Sequence, residues 1–353
     1  MRWERQVALG MIALATIACT DGDAKLREEF RTASLALVDQ LLPDSKKTVV
    51  GRDGWFFTWG EVRYLNAGSF TGDNAIRANH QAPPEYADPV PAIVDFHRQL
   101  QERGIDLWVV PVPVRPIVYP ETVLGPEPLA DRETIPILHL SLQEVAAALE
   151  KSGVRVIDMT PVFLAQREHP KRGPVYCPSD THWTPYGISL ATRILATEIA
   201  EKPWFEAVPK HQYQQRWVKK SHNGLLYRNY ENATGKTIEP DQFRLRRILL
   251  ETEEGQQTIR LRQPESPVIV IGDSNSERWS RFGSGFPHSL AFDLGFPVDV
   301  LSAAGGGANT SRLNLARKIR AEPEYLEGKR VVIWCFSARA FTNTHEGWIP
   351  IPL

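Results

Sequence analysis

Apolar and polar positions change rhythm along the chain, and the changes mark its elements. From Pro91 amphipathic stretches alternate with short apolar runs. "PAIVDFHRQLQERG" predicts a helix closed by Gly104, and "IDLWVVPVPV" a buried strand. "SLQEVAAALEKSG" predicts a helix closed by Gly153, followed by the strand "VRVIDM". Thr184 can cap the helix "PYGISLATRILATEIA", with Pro185 at its first position. Then come the strand "SPVIVIGDS", the helix "PHSLAFDLG", the strand "PVDVLSA", the helix "TSRLNLARKIRA" and the strand "KRVVIWCFSA". Five apolar strands between helices predict an α/β fold with a largely parallel sheet covered on both faces.

Two stretches depart from this rhythm. "TVVGRDGWFFTW" sets Asp53-Gly54 between apolar runs and predicts a hairpin. Residues 204 to 262, with "YQQRWVKKSHNGLLYRNY" and "DQFRLRRILLETEEGQQTIRLR", predict antiparallel strands and hairpins, an inserted β element rather than a separate domain. "AKLREEFRTASLALVDQLL" spaces Leu26, Phe30, Leu35, Leu37 and Leu41 as a helix does, predicting a helical stem over residues 20–46 ahead of a domain over 47–353.

Composition narrows the class. The 353 residues are 42% hydrophobic and 24% charged, as in a globular protein, and the net charge of -1 gives no bulk attraction to nucleic acid. Ten Trp suit core packing first and sugar-facing surfaces second. Arg2 and Arg5 precede the apolar run "VALGMIALATIA", the pattern of an export signal over residues 1–19. The run is shorter than the ~20 apolar residues of a membrane span. Cys19 after "TIA" allows lipidation and a membrane tether, although Thr16 stands where Leu is usual; an ordinary cleaved signal or an uncleaved anchor is the alternative. In an exported protein the remaining Cys177 and Cys335 can pair, or stay as two buried thiols.

The candidate chemistry lies in two motifs. "VIVIGDSNSERWS" places Ser274 just beyond a strand, where ligands of open parallel sheets bind. A serine hydroxyl needs an imidazole to remove its proton, and the imidazole needs a carboxylate to fix its tautomer. "PSDTHWTPYG" supplies Asp180 and His182 two residues apart. A metal alternative would draw on His139, Asp158 or His169, none at familiar ligand spacing, so no metal is expected. Asp273, a rival carboxylate for His182, is expected to bond backbone groups in its own turn.

The order "GRDGWFF", "VPVPVRPIVYPE", "DTHW", "VIVIGDS" resembles the SGNH-hydrolase-like domain of the AlgJ/AlgX-type alginate O-acetyltransferase family over roughly residues 45 to 340. The resemblance implies a flavodoxin-like sheet, a periplasmic location and action on exopolysaccharide. It implies that Asp180, His182 and Ser274 form a catalytic triad, in the reverse of the usual SGNH order. It implies an oxyanion hole from the Ser274 N–H with Gly306, Gly307 and Asn309 of "AAGGGANTSR". Arg115 and Arg339, each after a strand, are candidates for polar or anionic sugar groups. The expected reaction moves acetyl groups onto hydroxyls of a bacterial polysaccharide through an acetyl-serine. A carbohydrate acetyl esterase, or an assembly protein without activity, is the alternative. No cofactor is expected, since no P-loop-type motif supports coenzyme A; a membrane-embedded partner is expected to deliver the acetyl group.

Overall fold

The computed structural model describes residues 21–42 and 48–353. The export signal and Cys19 lie outside the described residues. The first described helix, α1 (Asp21–Ala36), does not stand off the domain as a stem would. Leu26 and Phe30 on one face are buried in the main core, and Arg132 pairs with Asp23. No described helix is long and apolar enough to cross a membrane.

The hairpin over Asp53-Gly54 pairs β1 (Thr48–Val50) with β2 (Phe56–Thr58). Thr58 then caps α2 (Trp59–Asn66) in a reciprocal box with Glu61, which satisfies backbone donors at the helix start. Next come α3 (Pro89–Gln101), β3 (Asp106–Val112), α4 (Ser141–Lys151), the short β4 (Arg155–Val156) and α5 (Pro185–Ile199). The second half holds β5 (Tyr213–His222), α6 (Leu225–Thr234), β6 (Asp241–Thr252), β7 (Gly255–Gln257), β8 (Val268–Gly272), α7 (Ser274–Glu277), α8 (Phe286–Leu294), β9 (Asp299–Ser302), α9 (Gly307–Ala321) and β10 (Val331–Ser337).

The five apolar strands form one parallel sheet in the order β9-β8-β10-β3-β4. Val268 to Ile271 and Val331 to Phe336 are fully buried, which is why these strands read as unbroken apolar runs. Each such side chain contributes about 1.5–3 kcal/mol on leaving water. Counted from β8, the order is second, first, third, fourth, fifth, that of a flavodoxin-like sheet whose chain begins elsewhere. The crevice of such a sheet opens between its first and third strands, here β8 and β10.

β5, β6 and β7 make a separate antiparallel sheet, and β6 packs on α5 and α8 through Phe243, Leu245 and Ile248. "LLYRNY", expected as strand, is the start of helix α6. Its Leu226 and Tyr227 are buried, and the Tyr230 ring packs tilted against Phe56 of β2, 4.9 Å between centroids.

Candidate active site

Ser274 follows β8 at the crevice. Gly272, the last residue of β8, pairs in register with Cys335 of β10. A Cβ on Gly272 would lie 1.8 Å from the Cys335 carbonyl oxygen, so no other residue fits. Asp273 then braces the turn. One carboxylate oxygen accepts from the Asn275 backbone and side-chain nitrogens, at 2.8 and 3.0 Å, and the other from the Ser337 N–H at 2.9 Å. Asp273 is thereby committed to its own turn and does not serve His182.

The Asp180–His182 loop is held from three sides. The buried Arg115 guanidinium donates to the carbonyls of Cys177, Pro178 and Asp180 at 3.1, 3.2 and 2.6 Å. It is neutralised by Glu61, at 2.8 and 2.7 Å. Burial works against the Glu61 carboxylate, yet Arg115 beside it holds it below the ordinary range. The Asp241 carboxylate of β6 accepts from the Ser179 N–H and hydroxyl at 3.1 and 2.6 Å. On the third side Gly224, just ahead of α6, packs so closely that an added Cβ would lie 1.9 Å from the Ser179 carbonyl oxygen.

Two indoles tie this loop to the serine turn. Trp183 Nε1 donates to the Asn275 carbonyl at 2.9 Å, and Trp279 Nε1 to the Trp183 carbonyl at 2.8 Å. The result is a continuous hydrogen-bonded line. His182 Nδ1 lies 2.5 Å from Asp180 Oδ1, and His182 Nε2 lies 2.8 Å from Ser274 Oγ. Asp180 is buried, while His182 and Ser274 are partly exposed. Burial alone would raise the Asp180 carboxyl, but bonds from His182 and His222 and the Arg278 charge hold it well below the ordinary carboxylate range. Asp180 is therefore an anion facing one ring nitrogen of His182, and the other ring nitrogen faces the Ser274 hydroxyl.

Ser274, residues 48–338 and the motif order fall together in one description. The sequence profile of the family "SGNH hydrolase-like domain, acetyltransferase AlgX" matches residues 48–338. The chain belongs to this family. It is 26% identical over 179 residues to the probable alginate O-acetylase AlgJ of Pseudomonas aeruginosa, covering 50% of this chain and 39% of that relative. It is 31% identical over 121 residues to the alginate biosynthesis protein AlgX of the same species, covering 34% of this chain and 24% of that one. The matches thus span well under two thirds of these relatives. The O-acetyltransferase domain of Pseudomonas putida AlgJ superposes with a TM-score of 0.60 at 19% identity, over 83% of this chain and 91% of that one, and shows the same fold.

Against this AlgX-type frame several expected residues are placed differently. Arg115 is 1% exposed and spent on the loop, so it offers nothing to a sugar. The Asn309 side chain donates to the Gly347 carbonyl and accepts from Arg312, and is turned into the protein rather than toward an oxyanion. The Gly306 N–H is taken by the Ala303 carbonyl. The loop itself lies beside the serine turn, because the Ala303 N–H donates to the Gly272 carbonyl at 2.8 Å, and Gly307 opens α9 there. Arg339 is partly exposed and donates to Ser337 and Thr58 hydroxyls at 3.1 and 2.9 Å.

Cys177 and Cys335 are both free and fully buried, correcting the expectation of a bridge. Each packs as a small apolar residue, and burial pushes both thiols well above their ordinary range. The residues of the metal alternative are engaged elsewhere. Asp158 accepts from Thr160 and Gln143, His139 packs between Tyr64 and Phe70, and His169 Nδ1 accepts backbone N–H groups. Sequence reasoning missed His222 and Arg278, which both reach Asp180 Oδ2, at 2.9 and 2.8 Å.

Proposed function

We propose that the chain is an O-acetyltransferase that moves acetyl groups onto hydroxyls of a bacterial exopolysaccharide, with Asp180, His182 and Ser274 as its triad. The observation that carries this is the unbroken line Asp180–His182–Ser274 at the crevice of the parallel sheet. Membership of the AlgX-type family and relatives named as alginate O-acetylases support the choice of acetyl group and polymer.

As Ser274 Oγ attacks the acetyl carbonyl carbon, His182 Nε2 takes the hydroxyl proton. That proton leaves with the donor's departing oxygen, giving acetyl-serine. A sugar hydroxyl then loses its proton to His182 as its oxygen attacks the ester carbon, and Ser274 departs with the proton. Asp180 holds the Nδ1–H throughout and stabilises the transient imidazolium. The Ser274 and Gly307 N–H groups are those we assign to the oxyanion, and Arg339 to the sugar. With water as acceptor the same steps give an esterase.

Export would place this site on the polymer's side of the membrane, with lipid at Cys19 as tether and a membrane-embedded protein as acetyl donor. These rest on residues 1–19 and on the family.

The test is turnover of nitrophenyl acetate with and without uronate-containing polymer. Ser274→Ala is expected to lower turnover about a thousandfold or more, while the parent protein yields acetylated Ser274 by peptide mass and acetylated polymer. Wild-type turnover in Ser274→Ala removes the reading. Acetate released to water at a rate indifferent to every glycan would instead establish the esterase.

A further inference from the structure

We infer that His222 and Arg278 are positioning residues that hold Asp180 aimed at His182, so that the second sheet and the serine turn both complete the triad. This rests on the acyl-transfer reading of Ser274. Asp180 divides its two oxygens. Oδ1 faces the His182 ring nitrogen at 2.5 Å and the His182 N–H at 3.3 Å. Oδ2 faces His222 Nε2 at 2.9 Å and Arg278 Nη2 at 2.8 Å, and those two nitrogens lie 3.0 Å from each other. A buried carboxylate accepts most strongly, so the proton of His222 is assigned to Nε2, directed at Asp180.

The two donors arrive on different elements. His222 ends β5, opposite Asp241 of β6 in the ladder. Arg278 follows α7, the turn that begins with Ser274. Trp279 sits between them at φ 71, a left-handed conformation that is costly for a bulky residue. In that conformation its ring lies 5.0 Å from the His222 ring and 4.4 Å beneath the Arg278 guanidinium, while its indole N–H reaches Trp183. Backbone strain at this one residue thus coincides with the placement of both donors. Strain of this kind persists where surrounding contacts over-determine it.

The charged and titratable groups around the carboxylate are His182 on its own loop, His222 and Asp241 from the second sheet, and Arg278 from the serine turn. Arg115 and Cys177 lie behind the loop. His222, His182 and Arg278 are the ones that favour the carboxylate over the acid in this buried position. A bare Oδ2 would leave two faults. The carboxylate would be held against rotation about its Cβ–Cγ bond by the Oδ1 contacts alone, and it would bind the imidazolium of His182 more tightly.

The test is the pH dependence of kcat and KM for nitrophenyl acetate, with Ser274→Ala as reference. His222→Leu and Arg278→Met are each expected to lower kcat about 10- to 100-fold, the usual range for partners that orient a reacting group. KM should stay within about threefold. The acid limb of the profile should move to higher pH, because a less neutralised carboxylate keeps the imidazolium protonated longer. His222→Gln, whose amide nitrogen reaches the same oxygen, should recover about tenfold of the loss. The double variant should lose less than the product of the single losses, since both act on one oxygen.

Wild-type kcat and an unmoved acid limb in folded His222→Leu and Arg278→Met, with Ser274→Ala inactive, would overturn the inference and leave acyl transfer standing. If His222→Leu fails to fold by circular dichroism, the comparison of Arg278→Met with Arg278→Lys decides: equal profiles overturn the inference, and an acid limb displaced only in Arg278→Met supports it. Full turnover in Ser274→Ala would remove the reaction on which it rests.

Discussion

Arg115 is a cation shut away from water, and its five hydrogen-bond donors explain why it is there. Glu61 supplies the opposite charge, and the carbonyls of Phe56, Cys177, Pro178 and Asp180 take the remaining N–H groups. Removing one partner of such a pair strands the other, so Arg115→Met is expected to cost about 3–5 kcal/mol of unfolding free energy in urea titration. Arg115→Met with Glu61→Leu should cost less than Arg115→Met alone, because no buried charge is left unpaired. If the double variant is the weaker protein, the carbonyl bonds and not the charge pair hold the loop. From sequence Arg115 looked like a sugar ligand, because a guanidinium is normally solvated and its acceptors lie 62 to 65 residues further on. Asp180, His182 and Ser274 were legible for the opposite reason. Two of them are neighbours within one loop, and the third sits at the end of a strand whose apolar run announces it. His222 and Arg278 gave no such signal; they meet Asp180 across 42 and 98 residues, His222 from the stretch read as an inserted β element and Arg278 from the residues after the Ser274 strand.

At the scale of elements, the strands of the central sheet could be read because burial on both faces writes itself as an uninterrupted apolar run. The helix α6 could not. Its sequence alternates enough to pass for a strand, and what fixes it is contact with Ser179, whose carbonyl accepts the Leu226 and Tyr227 N–H groups at 3.1 and 3.3 Å. Gly224 is the point of closest approach. A methyl there forces α6 and the dyad loop apart by a large fraction of an ångström or more. Gly224→Ala is therefore expected to lower kcat for nitrophenyl acetate about a hundredfold, the order of effect of a 1 Å misplacement, with far-ultraviolet circular dichroism unchanged. Retained kcat would mean that the loop keeps its geometry without the helix.

For the whole molecule, acid is the natural stress. His288 on α8 is 3% exposed, its Nδ1 finds no partner among the described residues, and burial holds its imidazole down to about 4 from 6.5. As pH falls below about 6.5 the unfolded chain takes up this proton first, so stability present above that pH is lost progressively down to about 4. The loss from this group is about 3 kcal/mol. Asp180 runs later in the same direction: its folded form titrates well below 3.8, so its contribution fades only at more acid pH. The urea midpoint should fall steadily from pH 7 to pH 4.5, and His288→Phe should flatten that slope if it folds. A slope equal in the variant would place the acid sensitivity elsewhere.

The strand β10 lies at the centre of the sheet, between β8 and β3, yet of the five strands of that sheet it comes latest in the sequence. Without β10 the sheet divides into two parallel pairs, β9 with β8 and β3 with β4, each with an open edge facing the gap. The Ser337 N–H that braces Asp273, and the Cys335 carbonyl under Gly272, are also still missing. Assembly of this sheet therefore has to wait for β10, which enters as a keystone. Until then two adhesive strand edges are presented to whatever else is nearby. A chaperone that shields edges should matter more to this protein than to one whose middle strand is synthesised first.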